Sequence, residues 1–318
     1  MSLYFAPMEG LTDDIFRRTH KACFSGIDKY FIPFVAPTQH CVFTPKEKAA
    51  LSPENNRGLY AVPQVLTKNS EYFLWAAREI AQMGYPEINL NLGCPSPTVV
   101  PKGKGAGMLK DLDALKAFLD DVFSHSPLPV SIKTRIGLES PDEWSALLDI
   151  YSQYPLHELI IHVRTRSEFY KGKTHPEAFA LAMQKAAFPL CYNGDLFTAD
   201  DCRNIQTAFP GASLMLGRGI MVNPALAQEF TGGEALGVAQ LRHFHDMLIA
   251  GYRARHPQSV VLGRMRDVMK MIATGFENAK KPLKAICKAR TEEAFLAATN
   301  QLFDTCTLSK NGPEDRPC

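Results

Sequence analysis

Short apolar runs alternate with longer stretches of helical period over roughly the first 220 residues. The apolar runs predict eight strands, at Leu3–Ala6, Tyr30–Val35, Ala61–Leu66, Glu87–Leu92, Val130–Thr134, Glu158–Val163, Leu190–Asn193 and Ser213–Leu216. Several, such as Leu159–Val163, show no polar alternation, as parallel strands covered on both faces require. Between them, Leu112, Leu115, Leu119 and Val122 recur at helical steps until Pro127 stops the pattern. Ser140-Pro141-Asp142-Glu143 reads as a capping box opening a helix that carries Trp144, Leu147, Leu148 and Tyr151. Thr198 with Asp201 opens another in the same way. Strict alternation predicts an α/β fold with a parallel sheet, and eight repeats favour a closed (β/α)8 TIM barrel over an open doubly wound sheet.

After Gly232-Gly233 the strand signals stop. Helical patterns follow at Leu241–Arg255, Leu262–Phe276, Pro282–Lys288 and Glu292–Leu302. The expected organisation is a barrel over residues 1–232, a C-terminal all-helical domain over 233–306 and a frayed tail over 307–318. A length of 318 residues suits this, since a TIM barrel takes about 250.

Composition changes the picture little: 46% hydrophobic and 21% charged residues exclude a disordered chain. No apolar run approaches the roughly 20 residues needed to span a bilayer. The start, MSLYFAPMEG, does not read as a signal peptide, so a cytoplasmic protein without membrane contact is expected. The eight cysteines are scattered without a C-x-x-C pair, which disfavours structural zinc or an iron–sulfur cluster, and no metal is expected.

Charge changes it more. Residues 242–290 hold eleven Lys or Arg against three acidic residues, a balance of +8 within a chain of net +2. A basic helical segment beside an acidic body points to a polyanionic partner.

In such a barrel, chemistry sits at the C-terminal ends of the strands. There the chain places Pro7-Met8-Glu9, Gln64, Asn89 and Asn91, Gly93-Cys94-Pro95, Lys133-Thr134-Arg135, His162-Val163-Arg164, Asn193-Gly194-Asp195 and Gly217-Arg218-Gly219. Asn89 and Asn91 share one face of a strand, as do Lys133 and Arg135, so each pair is placed to line the barrel mouth. The glycines after strands 7 and 8, with Arg218, suit a phosphate held by backbone N–H groups. Cys94 opens a loop running to Gly103-Lys104-Gly105-Ala106-Gly107, expected to be mobile and able to close over a substrate. Its thiol is a candidate nucleophile, general acid or simply packed side chain.

The ordered set A-P-M-E-G, N-L-G-C-P, K-T-R-I-G, H-x-R-T, N-G-D and G-R-G resembles the tRNA-dihydrouridine synthases, over about residues 3–220. The resemblance implies an FMN enzyme that reduces uridines of tRNA to 5,6-dihydrouridine with NADPH as reductant. It implies cofactor contacts from Pro7, Met8, Glu9, Gln64, Lys133, His162, Asn193, Gly194, Asp195, Gly217 and Arg218. Cys94 matches the family's proton donor; a free thiol near its ordinary pKa is mostly protonated at neutral pH, which suits an acid. Asn91, Arg135 and Arg164 are expected at the extruded nucleotide. Among the tail's basic residues, Arg266, Lys270, Lys281 and Lys284 are expected to contact tRNA, with the protein acting as a monomer. The segment Phe31–Val35 departs from the family by lacking an acidic residue. The runner-up is an FMN barrel resembling dihydroorotate dehydrogenase, acting on a free pyrimidine, for which the basic tail has no use. A third reading is a non-catalytic RNA-binding protein, against which Cys94, Lys133 and His162 argue.

Overall fold

The computed structural model describes residues 1–309 and 311–313. The eight strands are β1 (Leu3–Phe5), β2 (Lys29–Val35), β3 (Ala61–Val65), β4 (Ile88–Leu92), β5 (Val130–Arg135), β6 (Glu158–His162), β7 (Leu190–Asn193) and β8 (Ser213–Leu216). They pair in sequential order and close into a barrel, with parallel neighbours throughout β1 to β8. All eight predicted runs are strands, with ends displaced by one residue at most. Helices alternate with them: α1 (Asp14–Cys23), α2 (Pro45–Leu51), α3 (Ser70–Gln82), α4 (Leu112–His125), α5 (Trp144–Tyr151), α6 (Pro176–Lys185) and α7 (Ala199–Ala208). Both expected caps form. Glu143 accepts from Ser140 N at 2.8 Å ahead of α5, and Thr198 and Asp201 exchange bonds of 2.9 and 3.0 Å at the start of α7.

Because side chains alternate along a strand, one set from each strand fills the barrel. Tyr4, Phe31, Val62, Ile160, Cys191 and Met215 form a buried apolar layer inside it. Toward the N-terminal ends lies a polar cluster. Lys29 Nζ donates to both oxygens of buried Glu87 at 3.1 and 2.9 Å. Tyr4 donates its hydroxyl to Glu158 at 2.7 Å, while the other Glu158 oxygen is buried without a hydrogen-bond partner. Burial, first, pushes the Glu158 carboxyl up to about 7.

The chain divides into two compact units. One holds residues 1–7, 28–194 and 206–215, and so the barrel. The other holds residues 8–27, 195–205 and 216–318. It contains α1, α8 (Arg218–Val222), α9 (Leu226–Phe230), α10 (Val238–Arg253), α11 (Gln258–Ala273), α12 (Lys280–Lys288) and α13 (Glu292–Thr305). This division departs from the expected cut at residue 232. Phe16 and Phe24 meet Phe244 of α10 edge-on at 5.5 and 5.2 Å, an aromatic contact that draws the first helix into the second unit.

The second unit is not all-helical either. β9 (Phe276–Glu277) pairs antiparallel with β10 (Thr307–Leu308). The first residues of the expected tail are therefore held, and Ser309 N donates to Gly275 O at 2.8 Å. Residues 310 and 314–318 of that tail lie outside the described residues. No helix among the described residues is long and apolar enough to cross a membrane.

Candidate active site

Polar side chains replace the apolar layer near the C-terminal strand ends of the barrel unit, and the register shows why they meet. Gln64 sits beside Asn89 and Asn89 beside Ser131; Asn91 sits beside Lys133; Arg135 sits beside His162 and His162 beside Asn193. Each lies on a strand whose alternate residues fill the barrel, so sequence parity alone delivers them to one place.

Four of them form a relay. Ser131 Oγ accepts from Asn89 Nδ2, Asn89 Oδ1 from Gln64 Nε2, and Gln64 Oε1 from Asn91 Nδ2, each at 2.8 Å. Asn91 Oδ1 then accepts from the backbone of Gly93 at 3.1 Å and Cys94 at 2.9 Å. All four relay residues are buried, where each donor and acceptor needs a partner within the protein. Gln64 and Asn91, expected at cofactor and substrate, thus spend most of their hydrogen-bonding capacity on setting the Cys94 turn.

The Cys94 loop is packed, contrary to the expected mobility. Cys94 O accepts from Ala106 N at 3.1 Å, and Gly105–Lys110 forms a short 3-10 helix with Met108 and Leu109 buried. A Cβ at Gly107 would lie 2.5 Å from Val100 O. The glycines permit close packing of the loop on itself rather than freedom of movement.

The Cys94 thiol acts electrostatically on both Lys133 and Arg135. Lys133 Nζ donates to Asn193 Oδ1 at 2.9 Å, and Asn193 Nδ2 donates to Met215 O at 2.8 Å. Burial, then the charge of Arg135, lowers the Lys133 ammonium to about 8, while the Cys94 and Cys191 thiols pull it back up. Burial likewise lowers the Arg135 guanidinium to about 10, and Cys94 again acts on it. No carboxylate is among the groups acting on either cation. Two buried cations without a counter-charge fit an anionic or electron-rich ring, which is the test a flavin site has to meet.

Arg135 and Arg164, expected at the substrate, both bond backbone carbonyls. Arg135 is 1% exposed; its Nε donates to Gly93 O at 3.0 Å and its Nη1 to Thr165 O and Phe169 O at 2.7 and 2.8 Å. Arg164 is buried and donates to Gly172 O at 2.8 Å. His162 is nearly buried and stacks on Tyr170 with ring centroids 6.0 Å apart. Tyr170, exposed and 5.2 Å from the Arg135 guanidinium, escaped the sequence reading. Its signal was an aromatic pair, Phe169-Tyr170, inside an otherwise polar loop. Gly194 adjoins Val163 and His162.

In the second unit, Met8 N donates to Thr12 Oγ1 at 2.9 Å in the turn leading to α1, and Glu9 is exposed there; Pro7 ends the barrel unit's first segment. Arg218 pairs with Asp195 at 2.6 Å and lies 5.3 Å over Phe197. Gly217 precedes α8, and a Cβ at Gly219 would lie 1.8 Å from Leu196 O, so only glycine fits. Among the tail cations, Arg266 donates to Ala289 O at 3.1 Å and Lys270 pairs with Asp267 at 3.0 Å. Arg242, Arg253, Arg255 and Arg264 also pair, with Asp304, Glu292, Asp14 and Asp13. Lys280, Lys281, Lys284, Lys288 and Arg290 are exposed and make no ion pair with the described residues.

Known proteins were compared with the chain. The model of the dihydrouridine synthase (Dus) family matches residues 4–307. The chain is 30% identical over 256 residues to the tRNA-dihydrouridine(16) synthase of Pseudomonas putida, covering 78% of this chain and 79% of that protein. It is 27% identical over an alignment of 324 residues to the tRNA-dihydrouridine(16) synthase of Neisseria meningitidis serogroup B, covering 99% and 92%. Among solved structures, morphinone reductase superposes with a TM-score of 0.52 at 12% identity, over 74% of this chain and 87% of its own, a likeness of fold.

Proposed function

The chain belongs to the dihydrouridine synthase family, and on that premise we propose that it reduces uridines of tRNA to 5,6-dihydrouridine, with FMN as cofactor, NADPH as reductant and Cys94 as proton donor. The flavin, when bound, supplies a hydride to one carbon of the uracil double bond. The Cys94 thiol gives its proton to the other carbon. Lys133 and Arg135 then stabilise the thiolate left behind, since both act electrostatically on Cys94. Asn91 holds the backbone from which that thiol projects. The observation that carries this reading is a thiol on a hydrogen-bonded turn that acts electrostatically on two buried cations, Lys133 and Arg135.

We assign Lys133, Asn193 and His162 to the flavin ring, with Gln64 held ready by the relay. Pro7, Met8, Glu9, Gly194, Asp195, Gly217 and Arg218 are assigned to the rest of the cofactor. Arg218 already carries Asp195 as counter-charge, so Asp195 orients it and a phosphate shares it. Arg164 and Arg135 act through the loops they hold. The C-terminal helical region grips tRNA, and the unpaired cations narrow its contact set to α12 and the residues just after it: Lys281 and Lys284 stay in it with Lys280, Lys288 and Arg290, while Arg266 bonds a backbone carbonyl and Lys270 pairs with Asp267. A tRNA substrate places the protein in the cytoplasm, and no step calls for a second copy of the chain.

The test is purified protein with FMN, NADPH and unmodified tRNA, followed by nucleoside mass spectrometry. Dihydrouridine is expected, with position 16, named for two relatives, examined first. Turnover of a free pyrimidine with no dihydrouridine in tRNA would overturn the assignment.

A further inference from the structure

We propose that Arg135 is a positioning residue that couples the loop carrying Cys94 to the loop carrying Tyr170, so that the two order as one unit. The guanidinium touches both loops by the hydrogen bonds described above. Its Nε bonds Gly93 O, one residue before the thiol, and its Nη1 bonds Thr165 O and Phe169 O across the turn that presents Tyr170. The Gly93 residue is gripped from two sides, its N–H by Asn91 and its carbonyl by Arg135. The far loop is closed on itself: Glu168 accepts from Thr165 N at 2.7 Å and from Thr165 Oγ1 at 3.0 Å, and binds His175 at 2.8 Å. Phe169 takes a left-handed φ of 50°, a conformation that a bulky residue keeps only when its surroundings enforce it. The bond from Arg135 to Phe169 O supplies that enforcement.

A lysine cannot replace this fork. The guanidinium presents several N–H donors in a fixed plane, and three carbonyls in three directions need that geometry. A buried arginine committed to backbone carbonyls also leaves little for a ligand. Its contribution to turnover is therefore the placement of Cys94 relative to the Tyr170 loop, a consequence that rests on Cys94 being the proton donor; the coupling of the loops does not.

Hydrogen exchange tests the coupling without reference to activity. In Arg135→Met, amides in both 93–107 and 163–175 should exchange faster, by about tenfold or more, since one backbone-directed bond is lost at the first loop and two at the second, while strand peptides are unchanged. Arg135→Lys should give a smaller effect in both. Glu168→Gln loosens the second loop from its outer side and leaves the barrel interior alone, so it remains informative if the Arg135 variants fold poorly. Its faster exchange should spread to 93–107 when Arg135 is present and stay within 163–175 when Arg135 is Lys. Loops that respond independently would overturn the proposal. In the dihydrouridine assay, Arg135→Lys should lower kcat by about tenfold or more, as small misplacements do, with the tRNA KM and flavin content within about twofold. A raised KM with kcat intact would return Arg135 to substrate contact. Full activity of Cys94→Ala, with the exchange coupling intact, would remove the proton-donor reading and leave the coupling standing.

Discussion

Asn91 Oδ1 accepts the backbone N–H of Cys94 at 2.9 Å, so a carboxamide fixed on β4 sets the turn from which the thiol projects. The same side chain donates to Gln64, which ties the turn to β3 and, through Asn89, to β5. Asn91→Ala should lower kcat by about ten- to a hundredfold through misplacement of Cys94, with flavin content retained. It should also cost about 1–3 kcal/mol of stability, because Gln64 Oε1 loses its donor in a buried place. Steady-state kinetics beside urea unfolding separates the two effects. Unchanged kcat would show that the turn keeps its shape without Asn91.

Lys133 gives a pH signature. Its ammonium is lowered to about 8 by burial and by Arg135, so the charged form prevails below that pH and is lost above it. Flavin binding to the apoprotein should be flat below about pH 8 and weaken above it. Lys133→Arg, charged throughout, should remove the pH step, and Lys133→Met should bind weakly at every pH. Fluorescence titration between pH 6 and 10 measures this; a step that persists in the Arg variant would place its origin elsewhere.

Much of this was legible in the sequence. All eight strands could be read because parallel barrel strands are short apolar runs, and parity placed Asn89 with Asn91 and Lys133 with Arg135 at the barrel mouth. What could not be read was how residues far apart in sequence use one another. The bonds from Arg135 and Arg164 to the carbonyls of Gly93, Thr165, Phe169 and Gly172 have no signal in the sequence. Gly105 and Gly107 suggest mobility until the atoms they pack against are known. The aromatic contact of Phe16 with Phe244 joins segments more than 200 residues apart, which no local pattern signals.

The cluster toward the other end of the barrel predicts a stability effect. Glu158 has a folded pKa of about 7, raised above 4.5 chiefly by burial, so the folded state retains its proton across that window. Stability should therefore fall as pH rises from about 4.5 to 7, by at most about 3 kcal/mol. Glu158→Gln should flatten this dependence and be the more stable protein at pH 8. Urea unfolding at pH 5 and pH 8 decides it; equal slopes for both proteins would show that Glu158 is ionised throughout.

The tail predicts a separation of binding from chemistry. Lys281→Glu with Lys284→Glu should raise the tRNA KM and reduce the salt sensitivity of binding, since fewer counterions are released. Arg266→Gln and Lys270→Gln should have smaller effects on KM, because Arg266 donates to Ala289 O and Lys270 already carries Asp267 as a surface counter-charge. Filter binding at several salt concentrations gives the slopes. Lost flavin in the α12 variant would instead indicate a role in folding.

The central claim is that Cys94 donates the proton. Its most direct measurement is single-turnover reduction of tRNA by flavin-reduced Cys94→Ala, with dihydrouridine quantified by mass spectrometry. The account predicts a fully loaded flavoprotein whose uridine reduction is slowed by about a hundredfold or more, the range for loss of a general acid. A variant that forms dihydrouridine at the wild-type rate would contradict it.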